Sequence, residues 1–516
     1  MVNPKKQKQV GVILSYTALL LNTLIQIFYT PLMLGKLGKS EYGLYTLALS
    51  VTGYLTLLSL GLTGTYNKFF AKVDAEKDEE GLKRLNGMFF VMFAVISAVA
   101  VIVGIIFSMN VSFIFKKNLT PEELQIGKTL VLILTFNVAL SLATTPYTSF
   151  INANERFIFY RLIMIGSYVL HGAICVVVLM LGGKSVALTV VSVALTATSI
   201  TLQFLFCKFK LNYKISIKNI SFAELKPIFA FSVFILLYDI INQLNWGVDK
   251  FVLGIEVGTA GIAVYGIAAQ LNTYYMRIST TIASVFIPQV NRMAVEIKDE
   301  KEQNRQLSTL MIKIGRIQFM VVGLVLSGYI FFGQQFIIRW AGYGYRKAYF
   351  IGLWLMIPIT VDLIQNIGTH ISRAKYLHKP ITYCFLVVAS SNALLSFPLC
   401  RWYGAVGCAI ATAITTVCGH GFFLNWYYCK KMGLNIPLFW KSVLKILPAF
   451  IPPVAVGVVC KLFVTINSYP TIMIYGCIYS AVYFISMYFL GMNGFEKAII
   501  QKFISKFTRS KQSAKV

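Results

Sequence analysis

Acidic residues are scarce in this chain. Nineteen Asp and Glu stand against 47 Lys and Arg in 516 residues, for a net charge of +28. Polar stretches are scarcer still: no segment between apolar runs is long enough to fold alone, which excludes an inserted soluble domain. Enzyme signatures are missing. The chain has no phosphate-cradling glycine loop, no zinc helix motif and no Gly-x-Ser-x-Gly turn. Without a nucleotide site it cannot hydrolyse ATP, so any driving force comes from an ion gradient, the membrane potential or the substrate gradient. No carboxylate pair sits in a long outer loop, as sugar transfer would need. The nine cysteines lie almost wholly inside apolar spans without metal-type spacing, so they read as small buried hydrophobes and no metal or cofactor is expected. No basic–aromatic module exists to bind nucleic acid.

What is abundant is apolar. Hydrophobic residues make up 57% of the chain, with a mean hydropathy of +0.70; only a membrane-embedded class carries that average. Fourteen stretches, from 10–33 to 470–492, are long enough to cross ~30 Å of hydrocarbon. Each must be helical, because lipid offers no partner for backbone amides and carbonyls. The runs are continuous, without the alternation of a barrel strand. The expected fold class is therefore all-α and polytopic. The first stretch is too long for a cleavable leader and serves as an anchor.

Most of the 47 basic residues fall at the N-terminus, after even-numbered spans and in the tail. That side is cytoplasmic, which places both termini inside. The largest clusters run Lys68 to Arg84, Lys208 to Lys226 and Arg292 to Arg316; they read as topology signals with an attraction for anionic lipid. In the tail, Phe495, Ile499, Phe503 and Phe507 share a helical face punctuated by Lys497, Lys502, Lys506 and Arg509, the pattern of an interfacial helix.

The two halves resemble each other. Gly38, Tyr45 and Ala48 recur as Gly258, Tyr265 and Ala268; Ala153 recurs as Ala374 and Gly183 as Gly404. Six helices per half puts both halves in from the same side, with a pseudo-twofold axis along the membrane normal. The expected organisation is a six-helix lobe over 1–207, a cytoplasmic linker over 208–225 and a second six-helix lobe over 226–429. Two additional helices cover 430–492 and a basic amphipathic tail covers 493–516. Two such lobes with a cleft between them suit alternating access.

An ionisable group at mid-membrane costs roughly 2.5–3.5 kcal/mol, so it faces a cavity or a partner. In span 226–253, Asp239, Asn242, Gln243, Trp246 and Lys250 form one helical stripe, with Asn245 beside it. In span 349–372, Asp362, Gln365, Asn366, Thr369 and Arg373 repeat the same spacing. Both stripes read as hydrophilic cavity walls, with Asp239 and Asp362 able to bind H⁺ or Na⁺; interhelical hydrogen bonding is the plain alternative. Asp249 and Lys250 lie at the outer end, where a surface ion pair is expected. Arg277 lies near the middle of AAQLNTYYMRISTTIAS, with Gln270 and Asn272. Its guanidinium can grip a phosphate through two bonds or neutralise one of the two aspartates. Ser15, Asn22, Gln26 and Tyr29 share a face in the first span. His171, His370 and His420 are isolated in spans and read as packing residues, with His370 the best candidate for more.

Several segments resemble polysaccharide repeat-unit flippases of the multidrug/oligosaccharidyl-lipid/polysaccharide exporter superfamily. They are LGKLGKSEYGLY followed by LSLGLTGTYNKFFA, VDKFVLGIEVGTAGIAVYGIAAQL followed by Pro288, INANERF, and YGAVGCAIATAIT. Gly404, Gly407, Ala409 and Ala411 in the last let helices approach closely. The resemblance implies two six-helix lobes and a cationic central cavity in a bacterial inner membrane. It also implies export of undecaprenyl-pyrophosphate-linked oligosaccharide for O-antigen, capsule or exopolysaccharide, not an enzymatic reaction. Arg277 matches the position expected for a pyrophosphate-holding residue; the other substrate-binding candidates are Asn242, Gln243, Asn245, Gln270, Asn272, Gln365, Asn366, Asn22 and Gln26. The implied partners are the lipid-linked oligosaccharide, membrane lipids and other surface-polysaccharide assembly proteins. A drug or metabolite antiporter of the same superfamily is the first alternative, and a membrane polysaccharide polymerase or ligase the second.

Overall fold

Every regular element among the described residues of the computed structural model is a helix. Those residues are 4–59, 62–217, 240, 243, 247–463, 468–498 and 501. Eleven of the helical segments are long and apolar enough to cross a membrane. The difference from fourteen has a simple origin. The segment Ile13–Ser59 is 47 residues long, about 70 Å of helix at 1.5 Å per residue, or twice a bilayer core. It lies mostly in helix α1 (Pro4–Gly53), which breaks at Gly38, where φ is +73°, so it holds two spans. The span expected at 226–253 lies mostly outside the described residues. The span at 261–287 is α9 (Thr259–Ser284), 26 residues long but too polar to score as apolar.

The packing divides the chain into two compact units. The first is Met1–Gly266 with Ala393–Cys408; the second is Ile267–Asn392 with Ala409–Val516. The division falls after Gly266, beyond the linker expected at 208–225. In the first unit, α1 packs on α4 (Pro121–Ala143) and α6 (Phe157–Met180), and α3 (Glu79–Phe115) packs on α4. One end is filled by Tyr66, Phe89, Phe93 and Phe150 around the buried Cys207 of α7 (Ser185–Lys210). Residues 247–256 are helical and form the described part of α8.

In the second unit, α10 (Ile287–Glu296) precedes α11 (Glu300–Trp340), which packs against α12 (Ala348–Ala374). Helices α13 (Lys379–Tyr403) and α14 (Ala405–Thr416) follow. A seven-residue π-helical stretch, Val417–Phe423, then joins α14 to α15 (Leu424–Lys430). The last elements are α16 (Ile436–Leu444), α17 (Ile451–Phe463) and α18 (Tyr469–Ser486). Met320 and Phe332 of α11 share a core with Tyr479 and Tyr483 of α18.

The internal repeat is written in the backbone. Gly38 and Gly258 both take left-handed φ, +73° and +88°, the conformation glycine adopts without steric cost. Ala153 ends α5 (Thr145–Ala153) as Ala374 ends α12. Two residues beyond each stands a left-handed residue, Glu155 at φ 54° and Tyr376 at φ 58°. The closing bonds match: Arg156 N donates to Ile151 O at 3.1 Å, and Leu377 N to Ser372 O at 2.7 Å. The pair Asn212 and Gly433 repeats the pattern at φ 52° and 69°. There Leu211 N donates to Phe206 O and Met432 N to Tyr427 O. The Gly183–Gly404 match shifts by one residue, since the left-handed positions are Gly182 and Gly404.

Candidate functional site

Helix α9 carries a polar stripe. Gln270, Tyr274, Arg277 and Thr281 are spaced by 4, 3 and 4 residues and so share a face. Gln270 Nε2 donates to Tyr274 Oη at 2.7 Å, and Thr281 Oγ1 donates to Arg277 O at 2.6 Å. A different face is tied into the second unit. Tyr275 Oη and Thr360 Oγ1 are 2.7 Å apart, Ser279 Oγ donates to Leu363 O at 3.0 Å, and Gln318 Nε2 donates to Ser279 O at 3.0 Å. Arg277 stands two residues from both Tyr275 and Ser279, on the side turned away from those anchors. It is half-buried and has no carboxylate within ion-pair reach among the described residues. Asn272 is 2% exposed, yet its Oδ1 accepts no hydrogen bond there.

Beside this stripe lies an apolar groove of about 390 Å³. Tyr274 belongs to both, and Leu324, Phe332, Met356, Ile472 and Tyr479 complete the wall. A cationic stripe meeting an apolar groove at one tyrosine suits an amphiphile with an anionic head.

Helix α12 forms the second expected stripe, and its members separate. Asp362 Oδ1 lies 2.7 Å from His420 Nδ1, with side chains 22% and 12% exposed. The ring nitrogen is close without a linear N–H···O bond. His420 is stacked on Phe385, with centroids 4.8 Å apart and planes 11° apart. Gln365 is buried and donates to Asn425 Oδ1 at 2.7 Å, and Thr369 pairs with the Tyr428 hydroxyl at 3.1 Å. Asn366 Oδ1 accepts from Gln318 Nε2 at 3.1 Å. The Oε1 atoms of Gln318 and Gln365 are buried with no hydrogen-bond partner there. Such acceptors are costly unless water or a ligand reaches them. Arg373 is exposed and His370 half-buried.

In the first unit, Asp239, Asn242, Asn245 and Trp246 lie outside the described residues. Gln243 is half-buried; its Nε2 would lie 3.0 Å from a Cβ placed on Gly53. Gln26 Nε2 donates to Asn22 Oδ1 at 3.4 Å, Asn22 being half-buried and Gln26 exposed. Ser15 bonds back to Gly11 O, and Tyr29 sits edge-on to His171 at 6.3 Å. Asp249 corrects an expectation. It is not a surface ion at the outer end but 2% exposed, accepting from the hydroxyls of Tyr265 and Ser396. A charge pair nearby is Glu256, whose covered carboxylate is held by the exposed Arg401 at 2.9 Å and Lys117 at 4.0 Å. The hydrogen bond from Arg401 keeps the Glu256 carboxyl below its ordinary range.

Two assemblies escaped the sequence reading. His420 is not isolated, because the π-helical stretch carries it to Asp362. Arg316 is not a solvated loop charge but 5% exposed. It grips Glu496 through Nε at 2.6 Å and Nη2 at 2.9 Å. It also donates to Gly491 O at 2.8 Å and to Ser442 O. The described start of the tail is thus latched to α11. Phe495 sits under Lys313, whose Nζ is 4.7 Å from the ring centre. The rest of the expected interfacial helix lies outside the described residues apart from residues 497, 498 and 501.

Residues 36–337 match the family described as "Polysaccharide biosynthesis protein". The chain belongs to that family. It is 23% identical over 427 residues to a "Putative O-antigen transporter" of Shigella flexneri, covering 80% of this chain and 95% of that protein. It is 19% identical over 501 residues to the "Uncharacterized membrane protein EpsK" of Bacillus subtilis (strain 168), covering 94% and 96%. Among solved structures, the fold is similar to "Lipid II flippase MurJ, inward closed conformation". The TM-score is 0.70 at 19% identity, over 92% of this chain and 98% of that one. An inward-facing multidrug resistance MATE family transporter of the MOP superfamily gives 0.66 at 12% identity, over 82% and 95%. This member of the polysaccharide biosynthesis family is a multi-pass membrane protein with that transporter fold.

Proposed function

We propose that the protein flips an undecaprenyl-pyrophosphate-linked oligosaccharide from the cytoplasmic to the outer leaflet by alternating access, for surface polysaccharide biosynthesis. The observation that carries the reading is Arg277. It is a half-buried cation on a polar stripe, with no acidic partner among the described residues, beside an apolar groove. In this reading Arg277 holds the pyrophosphate while the prenyl chain stays apolar. Gln270, Asn272 and Asn366 are the proposed hydrogen-bonding groups for the head group; Asn22, Gln26 and Gln243 of the first unit are further candidates. Gln365, the other candidate on α12, donates to Asn425 Oδ1, which also accepts from Trp440 Nε1 at 2.8 Å. The names of the O-antigen transporter and the lipid II flippase support the substrate class.

Asp362 with His420 is the proposed ion site. A carboxylate and an imidazole 2.7 Å apart bind and release a proton without leaving a bare charge in lipid. Asp239 remains the second candidate. Both termini are assigned to the cytoplasm from the Lys/Arg distribution, and other assembly proteins are proposed partners.

The test is reconstitution of the purified protein with a fluorescent undecaprenyl-pyrophosphate glycan, scoring inversion with and without a pH or Na⁺ gradient. Inversion that needs active protein and fails for Arg277→Gln supports the reading; equal rates for both reject it. The likeness to the MATE transporter favours a drug or metabolite antiporter as the second reading. A deletion strain that keeps its surface glycan and gains drug sensitivity would select that one.

A further inference from the structure

A polar cavity of about 330 Å³ lies at the charged start of α11. Lys301, Asn304, Arg305 and Ser308 line one side; Gly433 and Asn435 line the other. Lys375, just past α12, donates to Asn304 Oδ1 at 2.6 Å. That bond turns Asn304 Nδ2 toward Gly433, whose absent Cβ would lie 2.4 Å from it. Asn435 caps α16, accepting from Leu438 N at 3.0 Å, and Ser308 Oγ accepts from Asn435 N at 3.0 Å. The mouth has an apolar lip of Ile312 and Leu438, the latter 46% exposed. Burial lowers the Lys375 amine below the ordinary lysine range, opposed by the charge of Glu300.

The repeat argues that this opening is a feature of one half. Gly87 and Lys83 correspond to Ser308 and Asn304 by the offset that pairs Asn212 with Gly433. In the first unit the equivalent space is filled by the chain itself. Ser216 N donates to Lys83 O at 2.9 Å, and Ser216 O would lie 2.0 Å from a Cβ on Gly87. In the second unit the chain turns into α16 instead, and the space stays open. Around it Glu80 becomes Lys301 and the neutral Asn154 becomes Lys375, Arg84 is kept as Arg305, and Lys83 gives way to the neutral Asn304. Two acids stand near. Glu302 holds Arg305 at 2.8 Å in an exposed pair, and Glu300 acts on Lys375. Exposed pairs of this kind are worth little and are readily exchanged.

We infer that this cavity is a phosphate site at the membrane interface, taking the phosphodiester head group of an anionic bilayer phospholipid. Lys301 and Arg305 supply charge, the Asn304 side-chain nitrogen supplies a hydrogen bond, and Ile312 with Leu438 meets the start of the acyl chains. A free phosphate shares the head-group chemistry but leaves the apolar lip unused; the diphosphate of a prenyl-linked glycan shares both, and the test separates it from a bilayer phospholipid.

The test is binding of fluorescent phosphatidylglycerol to the full-length protein in detergent, followed by anisotropy. Removing a charge near an anionic head group weakens binding roughly five-fold. The double variant Lys301→Gln/Arg305→Gln should therefore weaken binding about 25-fold, while Arg346→Gln, at the far end of α12, leaves it unchanged. Thr309→Trp, which fills the cavity without altering charge, should weaken binding as strongly. Phosphatidylcholine binding equally well, or Thr309→Trp having no effect, overturns the site. Displacement by millimolar inorganic phosphate, or tighter binding of undecaprenyl diphosphate, overturns the assignment to a bilayer phospholipid.

Discussion

Arg277 is where a single side chain has most to decide. Arg277→Lys keeps the charge and loses the flat fork that matches two phosphate oxygens; Arg277→Gln loses both. A hydrogen bond to a charged group is worth about 1.5–3 kcal/mol, so the glutamine variant should flip glycan lipid roughly 10–100-fold more slowly. The lysine variant should fall between, as read from initial rates in proteoliposomes of matched protein content. Glu256 gives a pH prediction. Its folded carboxyl is depressed by Arg401 from an ordinary value of 4.5. The pair's contribution is therefore fully present above about 4.5 and is lost as pH falls through the lower folded value. Melting in detergent should drop more steeply below pH 4.5 in the native protein than in Arg401→Gln; parallel curves would remove the pair from the account. Arg277 was legible in the sequence because a lone cation in an apolar run has no cheap explanation. Arg316 was not, because it lies among loop-like charges and its partner, Glu496, is 180 residues away.

At the scale of elements, the sequence pattern fails wherever a helix leaves the α register. His420 sits in a π-helical stretch, VCGHGFF, where the ladder takes one extra residue per turn. Counting at 100° per residue therefore leaves His420 unconnected to the polar stripe of α12. Gly419 permits the close approach, since a Cβ there would lie 2.2 Å from Val388 Cγ2. The repeat was more legible than the stripe because it rests on glycines and helix ends, which mark turns whatever the neighbours are. The latch between α11 and the C-terminal segment carries its own prediction. Glu496→Ala leaves the Arg316 guanidinium buried with backbone carbonyls alone, and breaking a buried pair from one side costs about 3–5 kcal/mol. Thermal melting should fall clearly for this variant. The paired change Arg316→Met/Glu496→Met should recover most of the loss, because two apolar side chains need no counter-charge. A melt unchanged in Glu496→Ala would mean the clamp is ornamental.

For the whole molecule, the question is what drives net movement of a charged head group through lipid. In the proposed reading, an ion gradient would act through groups that change charge inside the bundle. Asp362 and His420, 2.7 Å apart and only partly exposed, are the pair proposed to carry a proton. Each ligand shifts the state equilibrium only by its differential affinity for the two states. Removing the proton site should therefore uncouple the gradient without stopping exchange down the glycan's own gradient. In proteoliposomes, Asp362→Asn is expected to abolish acceleration by an imposed pH gradient while leaving equilibrium exchange within about two-fold. His420→Gln is expected to weaken the acceleration and shift its pH midpoint. If a Na⁺ gradient alone accelerates inversion, and Asp362→Asn retains that response, the coupling centre lies elsewhere and Asp239 is next in line. If Asp362→Asn abolishes exchange as well, the aspartate contacts the head group or holds the fold, and Asp362→Glu separates those two outcomes: it restores a carboxylate for binding but not the 2.7 Å spacing to His420.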